Sequence, residues 1–230
     1  MRPLVLFDID LTLISASGAG RAAIDAAARE CFGVPEATAG IPFDGRTDRA
    51  IFTELLDRHG RPRAEFDALA AAYLRALPGA LEARGAVALP GVQPLLAALE
   101  AAGAILGLAT GNLREGARLK LSAVGLWHAF AGGGFGDRHI ERRRVVAQAL
   151  AALDPVPSTP AVVIGDTPAD VSAAHAVGLP AIAVATGRSS PADLRAAGAD
   201  AVLASFEDVP GALSAIRDLA RPPVPSTPPR

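Results

Sequence analysis

Apolar and polar positions alternate with two different textures along the chain. Leu4-Val5-Leu6-Phe7 is an unbroken apolar run that stops at Asp8-Ile9-Asp10. From about Ser15 to Arg84 the apolar residues recur instead at helical spacing. "AGRAAIDAAARECFG" (19–33) predicts a helix punctuated by Gly33, and "TDRAIFTELLDRHG" (47–60) a second that Thr47 or Asp48 can cap and Gly60 can end. "RAEFDALAAAYLRAL" (63–77) predicts a third, stopped by Pro78-Gly79. No strand pattern interrupts the three, so residues 15–84 read as a helical insertion.

Beyond Pro90, helical and strand patterns take turns. The apolar runs "AILGLAT" (104–110), "AVVIGD" (161–166), "AIAVAT" (181–186) and "AVLAS" (201–205) each follow an amphipathic stretch, and a last helix is predicted from Val209 to Leu219. Near-continuous apolar strands alternating with helices predict a parallel sheet covered on both faces, a doubly wound, Rossmann-like α/β core. The expected division is a core of residues 1–14 and 85–220, the helical insertion at 15–84, and a proline-rich extended tail, "RPPVPSTPPR" (221–230).

Half of the 230 residues are apolar, enough for a sizeable core. A formal charge of −2 and a pI near 6.1 give no reason to expect nucleic acid or an anionic membrane as partner. The lone cysteine, Cys31, excludes an intramolecular disulfide and suits a reducing compartment. The first apolar run is too brief for a signal peptide or a membrane span. These features predict a soluble cytoplasmic protein, monomeric or homodimeric. Lys120 is the only lysine, and its place on a helix reads as structural or solubilising.

Ligands of open parallel sheets gather beyond the carboxyl ends of the strands. Three strands end in polar chemistry: Asp8-Ile9-Asp10-Leu11-Thr12, Thr110-Gly111-Asn112 and Asp166-Thr167-Pro168-Ala169-Asp170. Two aspartates one residue apart on a strand end point the same way and repel unless something compensates them. Asp8 and Asp166, with Asp170 in the next turn, offer the oxygen ligands that Mg2+ prefers. Thr110, Gly111 and Asn112 offer donors to phosphoryl oxygens, and Arg142, in the "ERRR" at the start of a helix, offers a guanidinium. Together they predict a site for a divalent cation and a small phosphorylated metabolite.

These stretches resemble the haloacid dehalogenase superfamily over essentially the whole chain. Asp8-Ile9-Asp10-Leu11-Thr12 is similar to its first motif, DxDxT; Thr110 in "LATGN" to its second; and "VVIGDTPADV", with Asp166 and Asp170, to its fourth. The third motif, a lysine or arginine, is taken by Arg142, with Arg143 and Arg144 as adjacent alternatives; relatives' lysine before a proline pair is absent here. The helical insertion looks like the family's C1-type cap.

The resemblance implies Asp8 as nucleophile, forming an aspartyl-phosphate, and Asp10 as general acid and then base, its pKa raised by neighbouring carboxylates. It also implies Mg2+ held by the Asp8 side chain, the Asp10 main-chain carbonyl, Asp166 and Asp170, with Thr110, Gly111 and Arg142 gripping the phosphoryl group. A carboxylate at Asp10 speaks against dehalogenation, and the lack of a cap lysine against phosphonate cleavage. A phosphatase, phosphoglycolate-phosphatase-like or broad in specificity, is the favoured reading. A phosphomutase of the β-phosphoglucomutase type and a non-catalytic binding protein remain as alternatives. "FDGRTDRAI" (43–51) looks like the substrate-facing cap segment, where Arg46 either meets a substrate anion or is merely solvated while Thr47 or Asp48 caps the next helix.

Overall fold

The computed structural model describes residues 2–153 and 159–220; the predicted tail lies outside them. In chain order the elements are β1 (Leu4–Phe7), β2 (Ile14–Ser15), α1 (Ala19–Phe32), α2 (Asp48–Arg58), α3 (Phe66–Arg84), β3 (Val87–Ala88), α4 (Val92–Ala101) and β4 (Ile105–Ala109). There follow α5 (Arg114–Ala123), β5 (Gly133–Gly134), α6 (Arg142–Leu153), β6 (Ala161–Gly165), α7 (Pro168–His175), β7 (Ala181–Val184), α8 (Pro191–Ala196), β8 (Ala201–Leu203) and α9 (Val209–Leu219).

Six strands form one parallel sheet in the order β5-β4-β1-β6-β7-β8, so the protein is a doubly wound α/β fold. Leu4 stands between Ile105 of β4 and Ala161 of β6. Along β1 the side chains alternate faces: Val5 and Phe7 join the core formed with α4, α9 and the helices α1 to α3, and Leu4 and Leu6 the core with α6, α7 and α8. Burial on both faces is why β1 reads as a continuous apolar run. The chain winds outward from β1 through β4 to β5, then returns to the other side for β6, β7 and β8. That reversal opens a crevice at the carboxyl end of β1.

Residues 133–134 form the edge strand beside Leu108 and Ala109. Two glycines carry no apolar signal, and their pairing is set by the backbone alone.

The helical segment α1 to α3 leaves and rejoins the core through a short antiparallel ribbon, in which Ile14 pairs with Ala88 and Ser15 with Val87. α1 ends as expected at Gly33, which is left-handed with its N–H bonded to Arg29 O. α3 does not stop at Pro78; it continues to Arg84. Pro78 lies on the exposed side, while Leu77 and Leu81 stay buried on the opposite face, so packing carries the helix past the missing donor. Thr47 is the N-cap of α2, its hydroxyl accepting from Ala50 N. No helix among the described residues is long and apolar enough to cross a membrane.

Candidate active site

Asp8 is still held in the sheet by its N–H, which bonds Ile164 O at 2.9 Å, so its carboxylate projects from a fixed point. The chain then turns sharply. Leu11 has φ 59°, an uncommon conformation for a branched bulky residue, and is pinned by its N–H to Ile14 O and by Thr186 Oγ1, which donates to its carbonyl at 2.6 Å. The turn brings Thr12 Oγ1 to Asp166 Oδ1 at 3.2 Å, tying the loop after β1 to the end of β6. Asp170 sits one turn into α7, where it forms a capping box with Thr167.

Carboxylate oxygens of Asp8, Asp166 and Asp170 lie within 4.8 Å of one another, and all three residues are buried. The cation facing them is Arg142, the first residue of α6. Its Nη2 is 3.4 Å from Asp8 Oδ1 and donates to Asp170 Oδ1. Burial, followed by the charges of Asp8 and Asp170, pushes Asp166 up to about 8. Burial likewise lifts Asp8 to about 6, against the pull of Arg142. Three buried carboxylates facing a single guanidinium leave an excess of negative charge on hard oxygen donors, a set that fits a divalent cation such as Mg2+. Gly187 completes the wall: a Cβ there would come within 1.8 Å of Asp166 Oδ2.

A family model described as haloacid dehalogenase-like hydrolase matches residues 5–175. The chain belongs to that family. It is 30% identical to a protein of Dickeya dadantii named "Probable phosphatase IndB", over 97% of this chain and 99% of the relative. It is 36% identical to the phosphoglycolate phosphatase of Rhodospirillum rubrum, over 46% of this chain and 44% of that one. Among solved structures, CbbY from Rhodobacter sphaeroides in complex with phosphate superposes with a TM-score of 0.72 at 23% identity, covering 91% of this chain and 96% of that one. At that identity the likeness concerns the fold alone.

Within this haloacid dehalogenase-like hydrolase most of the expected residues converge on one cleft of about 760 Å3 beyond the strand ends, with Asp170 and Thr110 buried behind its lining. Asp8, Asp10, Asp166, Gly111, Asn112 and Arg142 line it. Of the three adjacent arginines only Arg142 enters; Arg143 and Arg144 are exposed against Glu141. Thr110 is fully buried beneath the cleft, its hydroxyl accepting from the main-chain N–H and Nδ2 of Asn112, so it shapes the loop rather than lining the cleft.

Arg46 has partners within the protein, and the expectations for Lys120 and Asp10 are corrected. Arg46 lines the cleft, but its guanidinium is engaged by Glu54 at 2.6 Å and by the carbonyls of Pro42 and Ala50. Lys120 is not a solubilising surface residue: it is 5% exposed, with Nζ 2.8 and 2.7 Å from the two Asp10 oxygens and 2.6 Å from Asn112 Oδ1. Asp10 is consequently not raised. Burial pushes it up, but the charge and hydrogen bond of Lys120 and the Asn112 Nδ2 bond outweigh burial and hold it below the ordinary carboxylate value.

Lys120 did leave a trace in the sequence. It shares a helix face with Gly116, Ala117 and Leu121, all buried, and a cation on an apolar stripe needs an anionic partner inside.

The α1–α3 segment, the cap, is seated on the loop after β4. Asp48 N donates to Gly111 O at 2.7 Å, and Leu113 N donates to Asp48 Oδ2 at 2.8 Å. A Cβ on Gly111 would approach Arg46 O to 2.2 Å, so the loop needs glycine for the cap to close over it. Arg49 Nε reaches Asp137 O at 2.6 Å. Burial lifts Asp48 to about 6 despite the opposing charge of Lys120.

Proposed function

We propose that this hydrolase is a Mg2+-dependent phosphatase that cleaves a small phosphomonoester in two steps through phosphorylated Asp8. Hydrolysis of phosphoric monoesters follows from the family and from a full-length relative bearing a phosphatase name. The observation that carries the rest is Asp8 at the end of the central strand, 3.4 Å from the buried Arg142 and flanked by Asp166 and Asp170. Asp8, Asp166 and Asp170 would hold the metal, with the Asp10 carbonyl beside them. When bound, it supplies Lewis-acid charge to phosphoryl oxygens and neutralises the carboxylates.

Asp8 attacks phosphorus and the ester oxygen leaves. Arg142 neutralises equatorial oxygens, and the Gly111 and Asn112 loop donates to them. Asp10, two residues on, delivers a proton to the leaving oxygen and then takes one from the water that opens the acyl phosphate. The Lys120 contact favours the ionised carboxylate, the form that the second step uses. Asp8, Asp10, Asp166 and Asp170 are all present, which speaks for an enzyme over a binding protein of the same fold.

Turnover of p-nitrophenyl phosphate tests this reading. Wild type with Mg2+ should release phosphate, and both a chelator and Asp8→Asn should abolish release. Turnover that survives the chelator and the substitution contradicts it.

A further inference from the structure

The wall of the cleft opposite the carboxylates comes from the cap and its hinge, and there most charged groups already have partners within the protein. Arg21 donates to the carbonyls of Thr38 and Ile41 at 2.8 and 3.0 Å and lies over the Phe43 ring. Arg46 is held by Glu54, Asp48 by Leu113 N, and Lys120 by Asp10 and Asn112. At the mouth, Asp44 and Arg188 face each other 3.9 Å apart. The groups left open are hydroxyls. Tyr73 of α3 lines the cleft, is 1% exposed, and its hydroxyl makes no hydrogen bond among the described residues. The side chains of Ser15 and Ser17, on the hinge side, also line it without a hydrogen bond.

No fully buried side-chain polar atom among the described residues lacks a partner, so the Tyr73 hydroxyl opens into the cleft, where a ligand atom can take the place of water. The ring itself packs edge-on against Phe52, with centroids 5.4 Å apart, which fixes where the hydroxyl enters the cleft. Burial and the charges of Asp48 and Asp10 keep it protonated, and it therefore serves as a donor as well as an acceptor. The same wall carries Ile24, Ile41 and Ile51. Uncommitted hydroxyls and apolar side chains suit a neutral, hydroxylated body. Arg21 lines that wall without an acidic partner, but both of its terminal nitrogens are held by carbonyls, with which a carboxylate would have to compete. The cleft volume falls within the range that encloses small organic molecules, well beyond a two-carbon acid.

Resting on the phosphatase reading and deepening it, we propose that Tyr73 is a specificity-determining residue: its hydroxyl bonds a neutral, hydroxyl-bearing leaving group, and the substrate is a sugar-sized phosphate ester rather than a two-carbon phospho-acid. The contact exists before and during reaction, so its loss raises KM more than it lowers kcat.

The test compares kcat/KM for glucose 6-phosphate, 2-phosphoglycolate and p-nitrophenyl phosphate in wild type and Tyr73→Phe, which removes one oxygen and keeps the ring. Wild type should favour glucose 6-phosphate over 2-phosphoglycolate by tenfold or more. Tyr73→Phe should cut kcat/KM on glucose 6-phosphate by about three- to tenfold, the loss of one neutral hydrogen bond, and leave the aryl ester within about twofold. Three results overturn the proposal: preference for 2-phosphoglycolate, an unchanged sugar-phosphate rate in Tyr73→Phe, or an equal fall on sugar and aryl esters. Failure of wild type to turn over even the aryl ester overturns the phosphatase reading itself, and this inference with it.

Discussion

Asp8 and Asp10 stand two residues apart in opposite electrostatic surroundings. Asp8 faces two other carboxylates and one guanidinium and sits at about 6, whereas Asp10 faces an ammonium that holds it low. Lys120→Met keeps most of the side-chain volume and removes the charge. The limb of the kcat/KM–pH profile that belongs to Asp10 should then move to higher pH; an unmoved limb would show that Lys120 does not set it. Asp10→Asn should cost on the order of 10²–10⁴ on an alkyl phosphate, where the leaving group needs a proton, and much less on an aryl one, as read by kcat/KM with each ester. The two aspartates themselves were legible, since alternation on a strand end puts them on one side and the chemistry needs both. The partner of Asp10 was not. Lys120 lies 110 residues away in the chain, and nothing local tells which turn of α5 faces the loop after β1.

Seating of the cap is a property of elements rather than of single groups. The start of α2 meets the loop after β4 through one main-chain bond, Asp48 N–H to Gly111 O, and one from Leu113 N–H to the Asp48 carboxylate, with Gly111 at the close approach. Gly111→Ala should unseat the cap, raising KM by about tenfold or more through a clash that cannot relax without moving Arg46. Steady-state kinetics on the aryl ester would read this, with the melting temperature as a control for folding.

Gly79 offers the opposite case. It is exposed inside α3 with open space around it, so Gly79→Ala should stabilise the fold by about 0.5–1 kcal/mol, measured by urea unfolding. Helix periodicity revealed α1, α2 and α3, but Pro78-Gly79 looked like a stop because propensity is local. The burial of Leu77 and Leu81 that overrides it is tertiary. The edge strand at Gly133–Gly134 was hidden for the complementary reason, since it has no side chains to show a pattern.

At the scale of the whole molecule, the acidic crevice stores instability that a cation should relieve. Asp8 and Asp166 have folded-state values raised from 3.8 to about 6 and about 8. The folded state therefore binds protons more tightly than the unfolded one. That contribution to stability is complete below about pH 4 and is lost as pH rises through 6 and then 8. In chelator the melting temperature should carry a downward component between pH 5 and 8. Asp166→Asn should flatten it, and Mg2+ should raise the melting temperature most at the upper end of that window. The crevice itself follows from the strand order, which alternating strand and helix patterns imply only as a class. Which strand ends meet is decided by the return of the chain from β5 to β6.

The central claim, that Asp8 carries the phosphoryl group, is open to direct observation. Acyl phosphates survive acid, so rapid mixing with Mg2+ and p-nitrophenyl phosphate, an acid quench, and mass spectrometry of the digested protein should find one phosphoryl group on the peptide containing Asp8, and none in Asp8→Asn. Phosphate release at full rate from wild type with that peptide unmodified at every quench time, together with undiminished release from Asp8→Asn, would contradict it.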